Sequence, residues 1–173
     1  MKTNNKWTVK DVITTVLLTV LLIGIHFVVI TVSMVNQFFN CVLSPGVSMF
    51  FSAPVYILMV SRVNKRFVSL ASLTILGLVY LLTGNWYLLP YFALLGLLCE
   101  VVLWKRGSYR NAKRLTFTWS MVSLFYIVSN LLPLWFFWDT FYAFAVASGM
   151  DQSYIESYLQ YYTSPGWLIF IVA

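Results

Sequence analysis

The sequence predicts an all-α integral membrane protein, a six-transmembrane-helix bundle forming a single membrane domain over residues 1–173 with a cytoplasmic amino terminus. Three observations carry this. Only 9% of the 173 residues are charged, against 61% hydrophobic and 18% aromatic, whereas a soluble domain carries about 25% charged residues. Three long stretches, 12–61, 67–99 and 115–138, hold no Asp, Glu, Lys or Arg. All eleven Lys and Arg residues fall on one side of a six-span arrangement. This composition excludes an ordinary soluble domain, a disordered chain and a secreted disulfide scaffold. Cys41 and Cys99 sit in unrelated apolar stretches and make no cystine framework.

A helix crosses a bilayer with roughly 17 to 25 apolar residues. The first charge-free stretch is too long for one crossing and must turn, and Asn36, Gln37, Asn40, Ser44, Pro45 and Gly46 supply a turn-rich segment. The second turns at Thr83-Gly84-Asn85-Trp86. The spans are therefore placed at about 12–35, 45–61, 67–83, 88–104 and 115–137, and a sixth begins at Pro165, a residue suited to a first helical turn. Gly166 to Ala173 supplies only about 12 Å of helix, so the sixth span, 165–173 onward, is expected to continue past Ala173. The apolar runs lack the period-two alternation of a barrel strand, and in lipid only helices or closed barrels satisfy the backbone. The run after Asp11 is too long for a signal-peptide core, and no small-residue cleavage site follows it.

The cations fix the expected orientation. Lys2, Lys6 and Lys10 precede span 1. Arg62, Lys65 and Arg66 separate spans 2 and 3. Lys105, Arg106, Arg110, Lys113 and Arg114 separate spans 4 and 5. Positive loops stay cytoplasmic, and the opposite side holds Asp139, Asp151 and Glu156. The net charge of +6 then reflects membrane orientation and attraction to anionic lipid, and no nucleic acid partner is expected. Glu100, at the inner end of span 4, reads as an ion-pair partner of Lys105 and Arg106.

Residues 138–164 form the one long outer segment, a candidate lid rich in tyrosine. Asp151 suits the N-cap of a helix over 152–162, on which Tyr154, Tyr158, Tyr161 and Tyr162 share a face. That face reads either as a binding lid or as an interfacial aromatic belt.

No phosphate-binding P-loop, H-E-x-x-H, C-x-x-C or G-x-S-x-G motif occurs. A single histidine makes no multi-His metal site. No carboxylate lies mid-span, which weighs against a proton-coupled pump. In span 1, Thr19, His26 and Ser33 recur every seven residues, with Thr15 one turn before Thr19. Such a stripe should face the bundle or a partner, because facing lipid is costly. His26 reads as a ligand contact or axial metal ligand, or as a neutral histidine satisfied by a neighbouring helix. Ser123, Tyr126 and Asn130 share a face of span 5 and lead to Pro133, Trp135, Trp138 and Asp139. That face reads as packing with interfacial Trp anchors, or as one wall of an outward-opening pocket. Tyr80, Asn85 and Trp86 supply a second candidate wall. Thr15 and Thr19 form a small-x-x-x-small pair, a candidate helix-contact site.

Several segments together resemble the Trep_Strep (MptD-type) family along almost the whole chain. They are Trp7-Thr8-Val9-Lys10-Asp11, Leu82-Thr83-Gly84-Asn85-Trp86, Leu131-Leu132-Pro133-Leu134-Trp135-Phe136 with Asp139 and Tyr142-Ala143, and Thr163-Ser164-Pro165-Gly166-Trp167. The resemblance implies a substrate-binding S component of an energy-coupling factor (ECF) importer in the bacterial cytoplasmic membrane. Such a subunit captures a micronutrient outside and docks through helix 1 on a membrane coupling subunit (T component) driven by two cytoplasmic ATPases. Relatives often carry Ala-x-x-x-Ala at the docking position, where this chain has Thr15 and Thr19. Haem or another tetrapyrrole is a candidate cargo, with no cofactor of the chain's own.

The expectation is therefore a non-enzymatic capture subunit. Its candidate substrate-binding residues are His26, Ser33, Asn36, Asn40, Tyr80, Asn85, Trp86, Tyr126, Asn130, Trp135, Trp138 and Tyr142, and its candidate docking residues Thr15 and Thr19. Two alternatives stay open: an intramembrane enzyme using His26 as a base or metal ligand, and a ligand-free regulatory membrane partner.

Overall fold

The structure is a computed structural model that describes residues 6–105 and 107–172. The expectations for Lys2, Arg106 and Ala173 lie outside the described residues. Helices dominate, and no strand occurs among the described residues. In chain order they are α1 (Val9–Ser33), a π-helical turn (Phe39–Leu43) running directly into α2 (Ser44–Val63), α3 (Val68–Leu82), α4 (Leu88–Leu103), α5 (Ala112–Ser129), α6 (Leu132–Phe136), α7 (Trp138–Ala147), α8 (Gln152–Thr163) and α9 (Pro165–Val172).

Two runs, Val9–Ser33 and Phe39–Val63, have the length and apolarity to cross a membrane at 25 residues each. Val68–Leu82 and Leu88–Leu103 are apolar but shorter. Two expected boundaries change. The turn expected over residues 36–46 is confined to Met34–Asn36, and Asn40, Ser44, Pro45 and Gly46 are all helical. The span expected over 115–137 is two helices, because the chain breaks at Asn130-Leu131 before Pro133. Proline removes a donor and crowds the carbonyl four residues earlier, so α5 cannot run through it as regular helix.

The chain forms two compact units. One comprises the residues up to Ile25 with Phe51–Val122, and the other His26–Phe50 with the chain from Ser123 onward.

In the first unit, α1 starts at a reciprocal cap. The Thr8 amide and hydroxyl donate to Asp11 Oδ2 at 3.0 and 2.8 Å, and the Asp11 amide donates to Thr8 Oγ1 at 3.3 Å. These bonds to Thr8, backbone first, hold the Asp11 carboxyl below its usual range. α3 and α4 approach closely at two glycines: a Cβ on Gly96 would lie 2.8 Å from Leu70 Cα, and one on Gly77 3.0 Å from Leu89 Cα. Small residues permit such contact where lipid gives helices no hydrophobic reason to associate.

The α3–α4 connection closes a Schellman turn. Asn85 N donates to Tyr80 O at 3.0 Å and Gly84 N to Leu81 O at 3.1 Å, with Gly84 at φ 87°. At the other end of α3, Phe67 adopts the left-handed region at φ 70°, a cost of about 1–2 kcal/mol for a residue with a Cβ. Buried Glu100 holds it there, accepting from Phe67 N and Ser69 N at 2.9 Å each and from the Tyr109 hydroxyl at 2.6 Å. Burial, then Glu100, push the Tyr109 phenol up, so it stays a donor. Glu100 thus caps the neighbouring helix; the Arg106 half of its expected ion pair lies outside the described residues.

The second unit is built around broken helix ends. Asn36 Oδ1 accepts from Phe38 N at 2.9 Å and starts the helix that follows. Pro45 has no N–H for the carbonyl of Cys41. The preceding turn widens to π geometry, with Ser44 N donating to Phe39 O, and the Tyr162 hydroxyl of α8 donates to Cys41 O at 2.8 Å. One turn earlier on α8, the Tyr158 hydroxyl donates to Asn130 O at the α5–α6 break. Gln37 completes the junction, with Nε2 donating to Ser153 Oγ and Oε1 accepting from Ser157 Oγ, both at 2.6 Å. Asp151 caps α8 as expected, accepting from Ser153 N at 2.8 Å. A core of Cys41, Val42, Ile127, Leu131, Tyr158 and Tyr162 joins these pieces.

Candidate functional site

The carbonyl of Cys41, freed by Pro45, and that of Asn130 at the α5–α6 break set the site in the second unit. Because Tyr158 and Tyr162 reach back to Asn130 and Cys41, α8 is held by its tyrosine face and presents its flank toward α6, α7 and α9. There a cavity of about 520 Å³ opens, walled by Leu134 and Trp135 of α6, Trp138 at the start of α7, Leu159, Tyr162 and Thr163 of α8, and Leu168 of α9. That volume is within the range of small-molecule sites, roughly 300 to 1,000 Å³. Trp138 stands against Phe141 and Tyr142 at ring separations of 5.8 and 5.9 Å, which fixes its indole plane. Trp135 is 59% exposed although it lines the cavity. The polar oxygens of the lining are engaged: Thr163 Oγ1 donates to Leu159 O at 2.6 Å, and Tyr162 donates to Cys41 O. Burial pushes the Tyr162 phenol up and keeps that proton in place. The surface offered to a ligand is thus aromatic and aliphatic, and uncharged. It suits a flat, largely apolar molecule.

The expected site residues divide. Trp135 and Trp138 line the cavity. Tyr142 stacks behind Trp138 and is exposed. Asn130 stands at the α5–α6 break, its carbonyl bonded by Tyr158, and its amide donates to Tyr126 O at 3.4 Å. His26 and Ser33 are buried, so the polar stripe of α1 faces protein as expected. His26 is not part of the cavity lining; its ring meets Tyr126 edge to face at 5.2 Å. Ser33 Oγ bonds Ile30 O at 2.8 Å, which is local backbone satisfaction. Asn36 serves as a helix cap, and Asn40, half-buried, donates its amide to Asn36 O at 2.9 Å.

Tyr80, Asn85 and Trp86 belong to the first unit. Tyr80 stacks on Phe92 at 5.6 Å. Asn85 is occupied within its own turn, accepting from the Tyr87 hydroxyl at 3.0 Å. Trp86 is exposed and edge-on to Tyr87. Thr15 and Thr19, expected at a partner contact, are buried: Thr15 Oγ1 donates to Asp11 O at 2.9 Å and Thr19 Oγ1 to Ser72 Oγ at 2.9 Å. The close approach they permit is made within the unit, so neither hydroxyl is presented outward.

Sequence reasoning missed Leu134, Leu159, Tyr162, Thr163 and Leu168 as lining, and Gln37 as the clamp on α8. A signal for Tyr162 was present. A proline in an apolar helix frees the carbonyl four residues earlier, and tyrosine is the donor type repeated along 154–162.

No group of three or more His, Cys, Asp or Glu side chains able to hold a metal occurs among the described residues. The lining contains no imidazole, so haem bound in this cavity would not take His26 as its axial ligand.

A helical chain with apolar runs of membrane-crossing length and only 9% charged residues is an integral membrane protein. It belongs to the Trep_Strep family, described as a hypothetical bacterial integral membrane protein, and the match spans residues 9–173. No curated protein and no solved structure matches the chain.

Proposed function

We propose that this protein is the substrate-binding S component of an ECF-type ATP-driven importer, with the Trp135–Trp138 cavity as its capture site. The observation that carries this reading is the cavity itself, an uncharged aromatic chamber of about 520 Å³ in a membrane protein without a nucleotide-binding motif. In this reading the chain crosses the membrane six times with its amino terminus inside: α1, the 39–63 run, α3, α4, α5 with α6, and the helix beginning at Pro165. α7 and α8 lie outside and frame the cavity. ATP hydrolysis belongs to two cytoplasmic ATPases acting through a coupling subunit, and the chain is not an enzyme. Its cargo is a flat, apolar, cofactor-sized molecule recognised by stacking. A tetrapyrrole falls in that class when held by its ring faces. The His26–Tyr126 ring contact favours a packing role for His26 over a catalytic one.

The test is reconstitution in liposomes. Concentrative uptake should require the coupling subunit and ATPases together with this chain, and Trp138→Ala should abolish it. Concentrative uptake by this chain alone would refute the assignment.

A further inference from the structure

We infer that the Trp135–Trp138 cavity opens sideways into the outer leaflet of the bilayer, and that its cargo is a flat amphiphile entering from lipid with its uncharged ring body foremost. This rests on the proposed capture role, in which α8 lies outside and α9 enters the membrane from Pro165. The rim of the cavity has two chemistries. On α8, Glu156, Gln160 and Thr163 are exposed at i, i+4 and i+7, a polar stripe that ends on the cavity at Thr163. On α6 and α9 the rim is apolar. Trp135 lines the cavity and is 59% exposed. The Phe136 ring stands 6.5 Å from that of Trp135, and Phe136 is 71% exposed. Ile169, next in sequence to the lining residue Leu168, is also 71% exposed. A water-facing mouth would set all three large apolar side chains in solvent at the edge of one opening, and apolar patches of that kind mark a membrane or protein contact.

The depth of the cavity agrees. α9 starts at Pro165, and at 1.5 Å per residue Leu168 lies about 5 Å further along the helix, close to the thickness of one headgroup layer. The cavity therefore runs from headgroup level at Thr163 to the edge of the hydrocarbon at Leu168. Trp167, at the start of α9, meets the rings of Phe38 and Tyr161 at 5.6 and 5.2 Å, and such aromatic residues settle at headgroup depth. The cargo chemistry follows from the walls. No charged side chain lines the cavity, so an ionised ring body would shed its hydration there without a counter-charge. A neutral ring already dissolved in the leaflet has lost its water before it enters. A polar end group stays at the Gln160–Thr163 edge.

Nitroxide labels on Phe136→Cys, Ile169→Cys and Gln160→Cys, each in the full chain reconstituted in phosphatidylcholine vesicles, test the entrance. All three replace exposed side chains, and Cys41 and Cys99 are buried, so the unsubstituted chain is the labelling blank. Oxygen, which concentrates in lipid, should relax the labels at 136 and 169 more than a water-soluble nickel chelate does, and the order should reverse at 160. A nickel effect at 136 or 169 as large as at 160 would mean that the mouth faces water and would overturn the inference, with the capture role left standing. Labels at 136 and 169 shielded from both relaxants would mean that a second copy covers the mouth, and would overturn it too. A lipid-facing mouth without ATP-dependent uptake would strike the importer role instead. Native mass spectrometry with pyrenebutanol and pyrenetetrasulfonate tests the cargo class on one ring in neutral and charged form. The alcohol should bind about one per chain, the sulfonate roughly 100-fold more weakly or not at all, and Trp138→Ala should lose the alcohol. Binding of neither probe, or of the sulfonate as tightly as the alcohol, would overturn that class.

Discussion

The two units of this protein solve the same problem in opposite ways. Both must satisfy backbone groups in surroundings where water is scarce. The first unit brings helices together through absent side chains, with Gly77 and Gly96 letting α3 and α4 touch backbone to backbone. It seals the start of α3 with a buried carboxylate, Glu100. The second unit widens a helix before Pro45 and breaks one before Pro133, and it satisfies carbonyls there from outside, with Tyr162 and Tyr158 donating to Cys41 and Asn130. Repaired breaks splay the chain ends, and the cavity lies among them. The difference teaches that the aromatic cavity comes with irregularity, and that tyrosine hydroxyls satisfy the carbonyls the irregularity exposes.

Four substitutions or conditions probe that contrast. The largest effect is expected from Glu100→Ala, which leaves the buried Ser69 amide, the half-buried Phe67 amide and the Tyr109 hydroxyl without their acceptor. At about 1–3 kcal/mol for each orphaned group, the loss should be on the order of 3–5 kcal/mol in a detergent unfolding titration. A loss below 1 kcal/mol would mean that the cap is dispensable. Next, Gly96→Ala should cost about 1–3 kcal/mol through overpacking against Leu70. In the second unit, Gly46→Ala meets nothing within 4 Å and should instead stabilise by about 0.5–1 kcal/mol, the gain of Ala over Gly in a helix. Equal effects at the two glycines would erase the proposed difference in packing.

Tyr162→Phe should cost about 1–2 kcal/mol by stranding Cys41 O. Pro45→Ala restores an N–H able to take that carbonyl, so the tyrosine substitution should cost less in that background. Additive losses in the double variant would show that Pro45 and Tyr162 act independently. The smallest effect concerns Asp151. Its bonds from Ser153, backbone first, lower its pKa. A carboxylate with a lowered folded-state pKa contributes fully above its unfolded value and is lost as pH falls through the folded one. α8 protection in hydrogen exchange should therefore be level from neutral pH to about pH 5 and drop only below the ordinary carboxylate range, and Asp151→Asn should flatten that drop. A midpoint near neutrality would assign the effect to another group.

Much of the regular part of this fold is legible in residue order. The charge-free stretches mark α1, α3 and α4 to within a few residues. Thr83-Gly84-Asn85 announces a helix end because a left-handed residue is needed there, and Asp151 announces the start of α8. The polar stripe Thr19, His26 and Ser33 is correctly placed facing protein. What sequence order hides is a helix that continues through a turn-like string: Ser44-Pro45-Gly46 has turn chemistry, and only the distant phenol of Tyr162 makes helix tolerable there. The cavity is hidden for the same reason. Trp135 and Trp138 stand out as aromatic residues beside a proline, but Leu159, Thr163 and Leu168 become lining only once α8 is pinned by bonds to residues 28 and 121 positions away in the chain. Thr15 and Thr19 mislead because small residues mark close helix contact without saying which helix makes it.

The central claim is that the Trp135–Trp138 cavity holds a small molecule. Its most direct test is mass analysis of compounds released on denaturing protein purified from its own membranes, comparing the native chain with Trp138→Ala. The account predicts one flat aromatic compound near one per chain from the native protein, lost from Trp138→Ala while Gly46→Ala retains it. Equal release from the native chain and Trp138→Ala would contradict it.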